Sequence, residues 1–204
     1  MYIPENYSLT NQAEIHEFLH KNGFVLLINQ TLGKLWATHV PLVLDFKSDG
    51  TPYLLGHISK ANPQHEGFAE NNEILAVFTG PHAYISSSWY DHENVPTWNY
   101  IAVHVYGKIK IHSHEEAVLG LKKLVDKYEE KSENPIRVEN LSEKTMREVR
   151  GIIGFEIEIT SIEAQKKLSQ NRDDKNYKNI ISELETLKDP QAKAMAEAMK
   201  KNRP

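Results

Sequence analysis

The sequence predicts an α+β protein that is mainly β, built as a small antiparallel barrel with helices on its outside. Short segments rich in β-branched and aromatic residues follow one another through most of the chain, with turn residues between them. Amphipathic segments with helical spacing accompany them. Neither G-x-G-x-x-G nor G-x-x-x-x-G-K-[ST] occurs, so nothing indicates a parallel nucleotide-binding sheet. These observations together favour strands joined by hairpins.

The predicted strands number six or seven, depending on whether two neighbouring segments are separate. Each combines apolar alternation with turn residues at its ends; Ser48–Thr51, for example, supplies turn chemistry between the second strand and the third. The segments are Phe24–Asn29, Leu35–Phe46, Tyr53–Ile58, Glu73–Thr79, Ala83–Ser86, Trp98–Ile111 and Gly154–Ile162.

Helices are predicted before, between and after these strands along the sequence. The first covers Thr10–Asn22 and ends at Gly23, and another covers Glu115–Glu130 with Ser113 as its N-cap. A short helix follows Ser142. From Asp173 the chain is helical to its end, with a break at Asp189–Pro190. We therefore divide the chain into a barrel domain, 1–162, and a helical C-terminal extension, 163–204.

The composition excludes several kinds of chemistry. The chain has no cysteine, which rules out disulfides, thiolate nucleophiles and cysteine-ligated metals. No apolar run approaches the roughly 18 residues that span a bilayer, and no leader pattern is present, so we expect a cytoplasmic protein without membrane contacts. Residues 1–162 carry 14 basic and 21 acidic side chains, and residues 163–204 carry 10 and 7. The basic tail either contacts nucleic acid or is a solvated helical surface.

Three stretches are candidates for binding. In Gly56–Gln64, a strand passes into a helical turn, and free backbone N–H groups with Ser59, Lys60 and Asn62 would suit a phosphate monoester; the alternative is a serine N-cap beside an exposed lysine. In Trp36–Leu42, Pro41 indicates a free strand edge or a bulge that a ligand could follow, and the alternative is an edge strand with a buried histidine, His39. Phe78–Gly107 holds two of the three tryptophans. It forms a binding wall or a subunit contact, and the alternative is an ordinary core with a long hairpin loop.

Metal and nucleophile sites are not predicted. The chain has ten histidines, but no spacing supplies a third ligand beside His16 and His20. The run Ser86–Ser88 lacks a glycine elbow. No catalytic residue is assigned; His39, His57 and Tyr100 are candidates for a proton donor.

Five motifs in order carry a family resemblance: ATHVPL (37–42), GHISKANPQ (56–64), FTGPHAYISSSWY (78–90), VPTWNYIAVHVYG (95–107) and KLSQNR (167–172). With them, nearly the whole chain resembles the PaiB-type family of FMN-binding negative transcriptional regulators. That family is similar to the split barrels of the pyridoxamine-phosphate-oxidase type. The resemblance implies a six-stranded antiparallel split barrel, a homodimer, and FMN in a groove between subunits.

The resemblance also implies site residues. The flavin phosphate would lie at Ser59, Lys60 and Asn62, where Ser-Lys stands in place of the longer basic run of some relatives. The edge strand along the flavin would supply Ala37, Thr38 and His39, and the second subunit would supply Trp98 and Asn99. The implied function is repression of sporulation and protease-synthesis genes, with DNA reached through the basic tail or indirectly. The alternatives are a flavin-dependent oxidoreductase and a haem-binding split barrel.

Overall fold

The computed structural model describes residues 1–70 and 73–203, and its six strands form one closed antiparallel ring. Around the ring the order is β1-β2-β3-β6-β5-β4. The predicted six-stranded barrel with accompanying helices is confirmed. The strands are β1 Phe24–Thr31, β2 Lys34–Phe46, β3 Pro52–Ser59, β4 Glu73–Ile85, β5 Thr97–Ile111 and β6 Ile152–Lys167.

Two strands extend well beyond their predicted ends. Glu73–Thr79 and Ala83–Ser86 were expected as separate segments, but β4 runs without interruption through Gly80 and Pro81. A proline fits within a strand where the ladder does not need its N–H, so the dipeptide is no reliable stop. Similarly, β6 continues past Ile162 to Lys167, so residues 163–167 of the predicted helical extension belong to a strand.

The helices lie close to their predicted positions, except α2, which the sequence did not predict. They are α1 Gln12–Lys21, α2 Gly67–Glu70, α3 His114–Glu129, α4 Glu143–Met146, α5 Asp174–Thr186 and α6 Pro190–Asn202. Ser113 caps α3 in a full capping box with Glu116. Asp189 caps α6, and Pro190 occupies its first turn, as expected. No helix among the described residues is both long and apolar enough to cross a membrane.

The chain divides into two compact units. The barrel unit comprises His16–Phe78 and His104–Ile162, and Leu27, Leu42 and Phe155 are among its fully buried side chains. The hairpin unit comprises Met1–Ile15, Thr79–Val103 and Glu163–Pro204. Within it, α5 and α6 bury Ile180, Leu184, Met195 and Met199. The predicted division into 1–162 and 163–204 stays a prediction.

Candidate functional site

The candidate site lies where β2 and β3 separate. Strand β2 pairs with β1 from Lys34 to Pro41, but its pairing with β3 begins only at Leu42, opposite Gly56. Beyond Gly56, β3 continues to Ser59 against β6. Among the described residues, one side of the segment 34–41 therefore has no strand partner, which confirms the predicted free edge.

Pro41 stands at the point of separation. The next residue, Leu42, donates its N–H to the carbonyl oxygen of Gly23 at 2.7 Å, on the β1 side. Because successive N–H groups of a strand point in opposite directions, the nitrogen of Pro41 faces the β3 side. It has no hydrogen to donate there, so it ends the β2–β3 ladder without leaving an unpaired donor.

The loop after β3 folds back over this edge. Asn62 accepts a hydrogen bond from the N–H of Gln64 at 3.0 Å and so caps the 3₁₀ helix Pro63–Glu66. Its Nδ2 donates to the hydroxyl of Thr38 at 2.9 Å. The predicted phosphate loop and the predicted edge strand are thus tied together by one side-chain hydrogen bond.

The expectation of free backbone N–H groups in this loop is wrong. The N–H of Lys60 donates to the carbonyl oxygen of Gly151, that of Ala61 to the hydroxyl of Ser59, and that of Asn62 to the carbonyl oxygen of Ser59. The helical turn also begins at Asn62 rather than Ser59. The remaining donors are the ammonium group of Lys60 and the hydroxyls of Ser59 and Thr38.

A residue to which the sequence assigned no role fastens the loop to the barrel. Gln64 is fully buried, and its Nε2 donates to the carbonyl oxygen of Leu27 at 3.0 Å and to Oδ1 of Asn29 at 2.8 Å. The main-chain carbonyl oxygen of Gln64 accepts from the hydroxyl of Thr31 at 3.0 Å. The sequence signal that could have indicated this role is the motif GHISKANPQ (56–64), which ends at Gln64. The residue type alone does not distinguish a buried glutamine from an exposed one.

The three predicted edge residues do not share one face. Thr38 contacts Asn62, and strand alternation therefore turns Ala37 and His39 to the opposite face. His39 is exposed there and its ring stacks on Phe24, with centroids 5.7 Å apart. The alternative that His39 is a buried, hydrogen-bonded histidine is wrong.

His57, a candidate proton donor, lies opposite Gly154 on β6. Burial lowers the pKa of its imidazole below the ordinary value, because desolvation penalises the charged form. The ring is then neutral at pH 7, which makes it a poor acid there.

The described residues contain no cluster of three or more side chains suited to a metal ion.

Trp98 and Asn99 belong to the hairpin unit. Trp98 is 53% exposed and meets Tyr84 edge-on, with ring centroids 5.9 Å apart. Asn99 is fully buried: its Oδ1 accepts from the hydroxyl of Ser169 at 3.1 Å, and its Nδ2 lies 3.5 Å from the sulfur of Met199. Their assignment to the cofactor stays a prediction.

A protein-family model described as "Putative FMN-binding domain" matches residues 1–161. The chain belongs to this FMN-binding family. FMN is the cofactor that membership assigns to it, and the predicted resemblance is confirmed.

Relatives of this FMN-binding protein occur in bacteria and fungi. It is 44% identical to the Protease synthase and sporulation protein PAI 2 of Bacillus subtilis over 200 residues, covering 98% of this chain and 96% of that protein. It is 30% identical to the uncharacterized protein AN0679 of Emericella nidulans, covering 96% and 95% of the two chains.

Solved structures with low sequence identity show the fold. The FAD and heme binding protein from Mycobacterium smegmatis matches with a TM-score of 0.64 at 14% identity, covering 84% of this chain and 78% of that one. The flavocytochrome Anf3 from Azotobacter vinelandii matches with a TM-score of 0.62, also at 14% identity, covering 84% and 75%. The barrel of the FMN-binding protein is therefore a split barrel.

The residues at the β2–β3 separation fit the phosphate end of FMN. Lys60 has no acidic partner in the part of the chain that the structure describes, and it is exposed. Ser59 accepts from Ala61, so its hydroxyl proton is left for an anion. The ammonium group of Lys60 can give a charge-assisted hydrogen bond to a phosphate, and the hydroxyls of Ser59 and Thr38 can give neutral ones. The set of donors is smaller than expected, because the backbone N–H groups of the loop are already hydrogen-bonded within the protein. When bound, the isoalloxazine ring supplies redox chemistry.

Proposed function

We propose that this protein binds FMN at the separation of β2 and β3 and acts, as a homodimer in the cytoplasm, as a negative transcriptional regulator. The observation that carries the proposal is the hydrogen bond between Asn62 and Thr38, which holds the loop with Ser59 and Lys60 against the unpaired edge of β2. The regulatory part rests on the similarity to PAI 2, whose name refers to protease synthesis and sporulation. The same classes of gene are the proposed targets.

The outward face of the β1–β2 hairpin supports a dimer. Phe24, Leu32 and Leu35 are 67%, 63% and 83% exposed. Leu26 and Ile28 lie half-buried on the same face of β1 as Phe24. Contiguous exposed apolar side chains of this kind mark contact surfaces, and a second copy of the chain would cover them.

The dimer proposal gives Trp98 and Asn99 different parts. The half-exposed indole of Trp98 is available to a flavin held by the partner subunit. The side chain of Asn99 already has a partner at each polar end, so its proposed part is to hold the strand beside Trp98.

Replacing Lys60 with methionine is expected to weaken FMN binding by about tenfold, because one charge-assisted hydrogen bond to the phosphate is lost. The affinity for riboflavin, which lacks the phosphate, should stay unchanged. Quenching of flavin fluorescence measures both affinities. Lys108→Met removes an equally exposed lysine from β5 and serves as the control. Equal losses for FMN and riboflavin would contradict a phosphate contact.

The helical hairpin formed by α5 and α6 is the proposed surface for DNA. Lys178, Lys188, Lys193 and Lys201 are exposed and have no acidic partner among the described residues. Lys200, in contrast, is paired with Glu185 and Glu197. The unpaired lysines of α5, α6 and the turn between them are therefore the proposed phosphate contacts, presented twice by a dimer.

The double variant Lys188→Gln/Lys193→Gln is expected to weaken binding to a duplex and to reduce the slope of log K against log salt by about 2, one unit for each lost phosphate contact. Gel shifts between 50 and 200 mM salt, roughly the range over which such contacts are lost, measure the slope. Lys108→Gln/Lys144→Gln makes the same charge change outside the hairpin. If the wild-type protein shifts no DNA even at low salt, direct binding is excluded and repression is indirect.

A further inference from the structure

A cleft apart from the candidate FMN site lies wholly within the hairpin unit. Its volume of about 380 Å³ suits a small ligand. It is formed by β4, the start of β5 and the turn that leads into α6. Three aromatic rings and three polar side chains do most of the lining: Tyr84, Trp89, Trp98, His82, Asp189 and Gln191.

The aromatic side of the cleft presents π-faces. Trp98 meets Tyr84 edge-on at 5.9 Å and lies tilted to His82 at 6.3 Å, so the rings are not stacked into one closed layer. Trp98 and Tyr84 are each about half exposed. Open aromatic faces carry negative potential and attract cations.

The polar side of the cleft adds a carboxylate. One oxygen of Asp189 accepts from the N–H of Gln191 at 2.9 Å as the helix cap. In the described part of the chain, Asp189 has no basic partner, whereas Asp174, Glu185 and Glu197 are paired with basic side chains. Its second oxygen and the negative charge are therefore left for a ligand.

His82 adds an acceptor in its neutral form. Its Nδ1 lies 3.3 Å from the carbonyl oxygen of Gly80, a distance at which Nδ1–H donates. Nε2 then carries the lone pair. A carboxylate, an imidazole nitrogen and aromatic faces are all suited to a group that brings positive charge and several N–H donors.

We propose that this cleft binds a primary ammonium ligand with a small apolar body, the ammonium group at Asp189 and the apolar body against Trp98 and Tyr84. The site does not depend on DNA binding, and it shares Trp98 with the proposed flavin contact. It gives the aromatic stretch Phe78–Gly107 the binding-wall role that the sequence left open.

The test is calorimetric titration with phenethylamine, and with 2-phenylethanol as the neutral analogue of the same shape. We expect a Kd of about 1 mM or tighter for the amine and binding at least about tenfold weaker for the alcohol. Asp189→Asn should weaken amine binding by about tenfold without disturbing α6, because asparagine caps helices as well as aspartate does. Trp98→Leu should weaken it by about fivefold.

Asp173→Asn is the matched control, because Asp173 caps α5 in the same way and does not line the cleft. It should leave the Kd of the amine unchanged. Two results would overturn the proposal: equal affinities for amine and alcohol, or an unchanged Kd in Asp189→Asn.

Discussion

Replacing Gly67 with alanine is expected to lower the free energy of unfolding by about 3 kcal/mol and to disrupt the loop 59–66, which carries the proposed contacts to FMN. A Cβ at this position would lie 2.3 Å from the carbonyl oxygen of Gln30 and 2.4 Å from the hydroxyl of Thr31. The nearest atom belongs to the backbone of β1, where Gln30 is paired with Leu35 of β2, so the clash cannot be relieved by turning a side chain. The segment after Asn62 would have to move away from the barrel.

Urea unfolding followed by circular dichroism measures this loss. Gly120→Ala is the control with the opposite sign: nothing lies within 4 Å of the added Cβ, and the residue is inside α3. Alanine should stabilise the helix there by about 1 kcal/mol. A Gly67→Ala protein as stable as the wild type would show that β1 and α2 are not packed as closely as described.

Replacing Gln64 with leucine is expected to cost about 3 kcal/mol of stability and to weaken FMN binding by at least about tenfold. Leucine has a similar volume, so no large cavity forms, but the carbonyl oxygen of Leu27 and Oδ1 of Asn29 lose their buried donor. The side chain of Asn62 accepts a hydrogen bond from the N–H of Gln64 and donates one to Thr38. The hydrogen bond to Thr38 would weaken if the segment with Gln64 shifted. The effect on FMN therefore follows from the position of the loop rather than from contact with the flavin.

Stability and cofactor affinity must be separated in this experiment. FMN and riboflavin titrations at a temperature where the variant is fully folded give the affinity, and urea unfolding gives the stability. The control, Gln12→Leu, makes the same change at an exposed position of α1. If Gln64→Leu is destabilised but binds FMN as tightly as the wild type, Gln64 supports the fold without positioning the site.

Features that depend on neighbours in sequence were predictable. The Ser113 cap with Glu116, the Asp189–Pro190 start of α6, and the alternation of Phe155 and Ile157 in β6 involve residues one to four positions apart. The edge of β2 was indicated by Pro41 alone, because the missing N–H is a property of that residue. The family resemblance supplied the cofactor and the candidate residues.

Sequence by itself thus determined the barrel, the helices that lie before, between and after its strands along the chain, and the family. Only the tertiary structure decided that Asn62 rather than Ser59 caps the turn, that Gln64 reaches Asn29 across 35 positions, and that Asn99 bonds Ser169 across 70. Local patterns state which side chains are apolar or able to hydrogen-bond. They do not state which distant partner comes within 3 Å, and that choice, made when the strands and the tail pack, determines which donors remain free for a ligand.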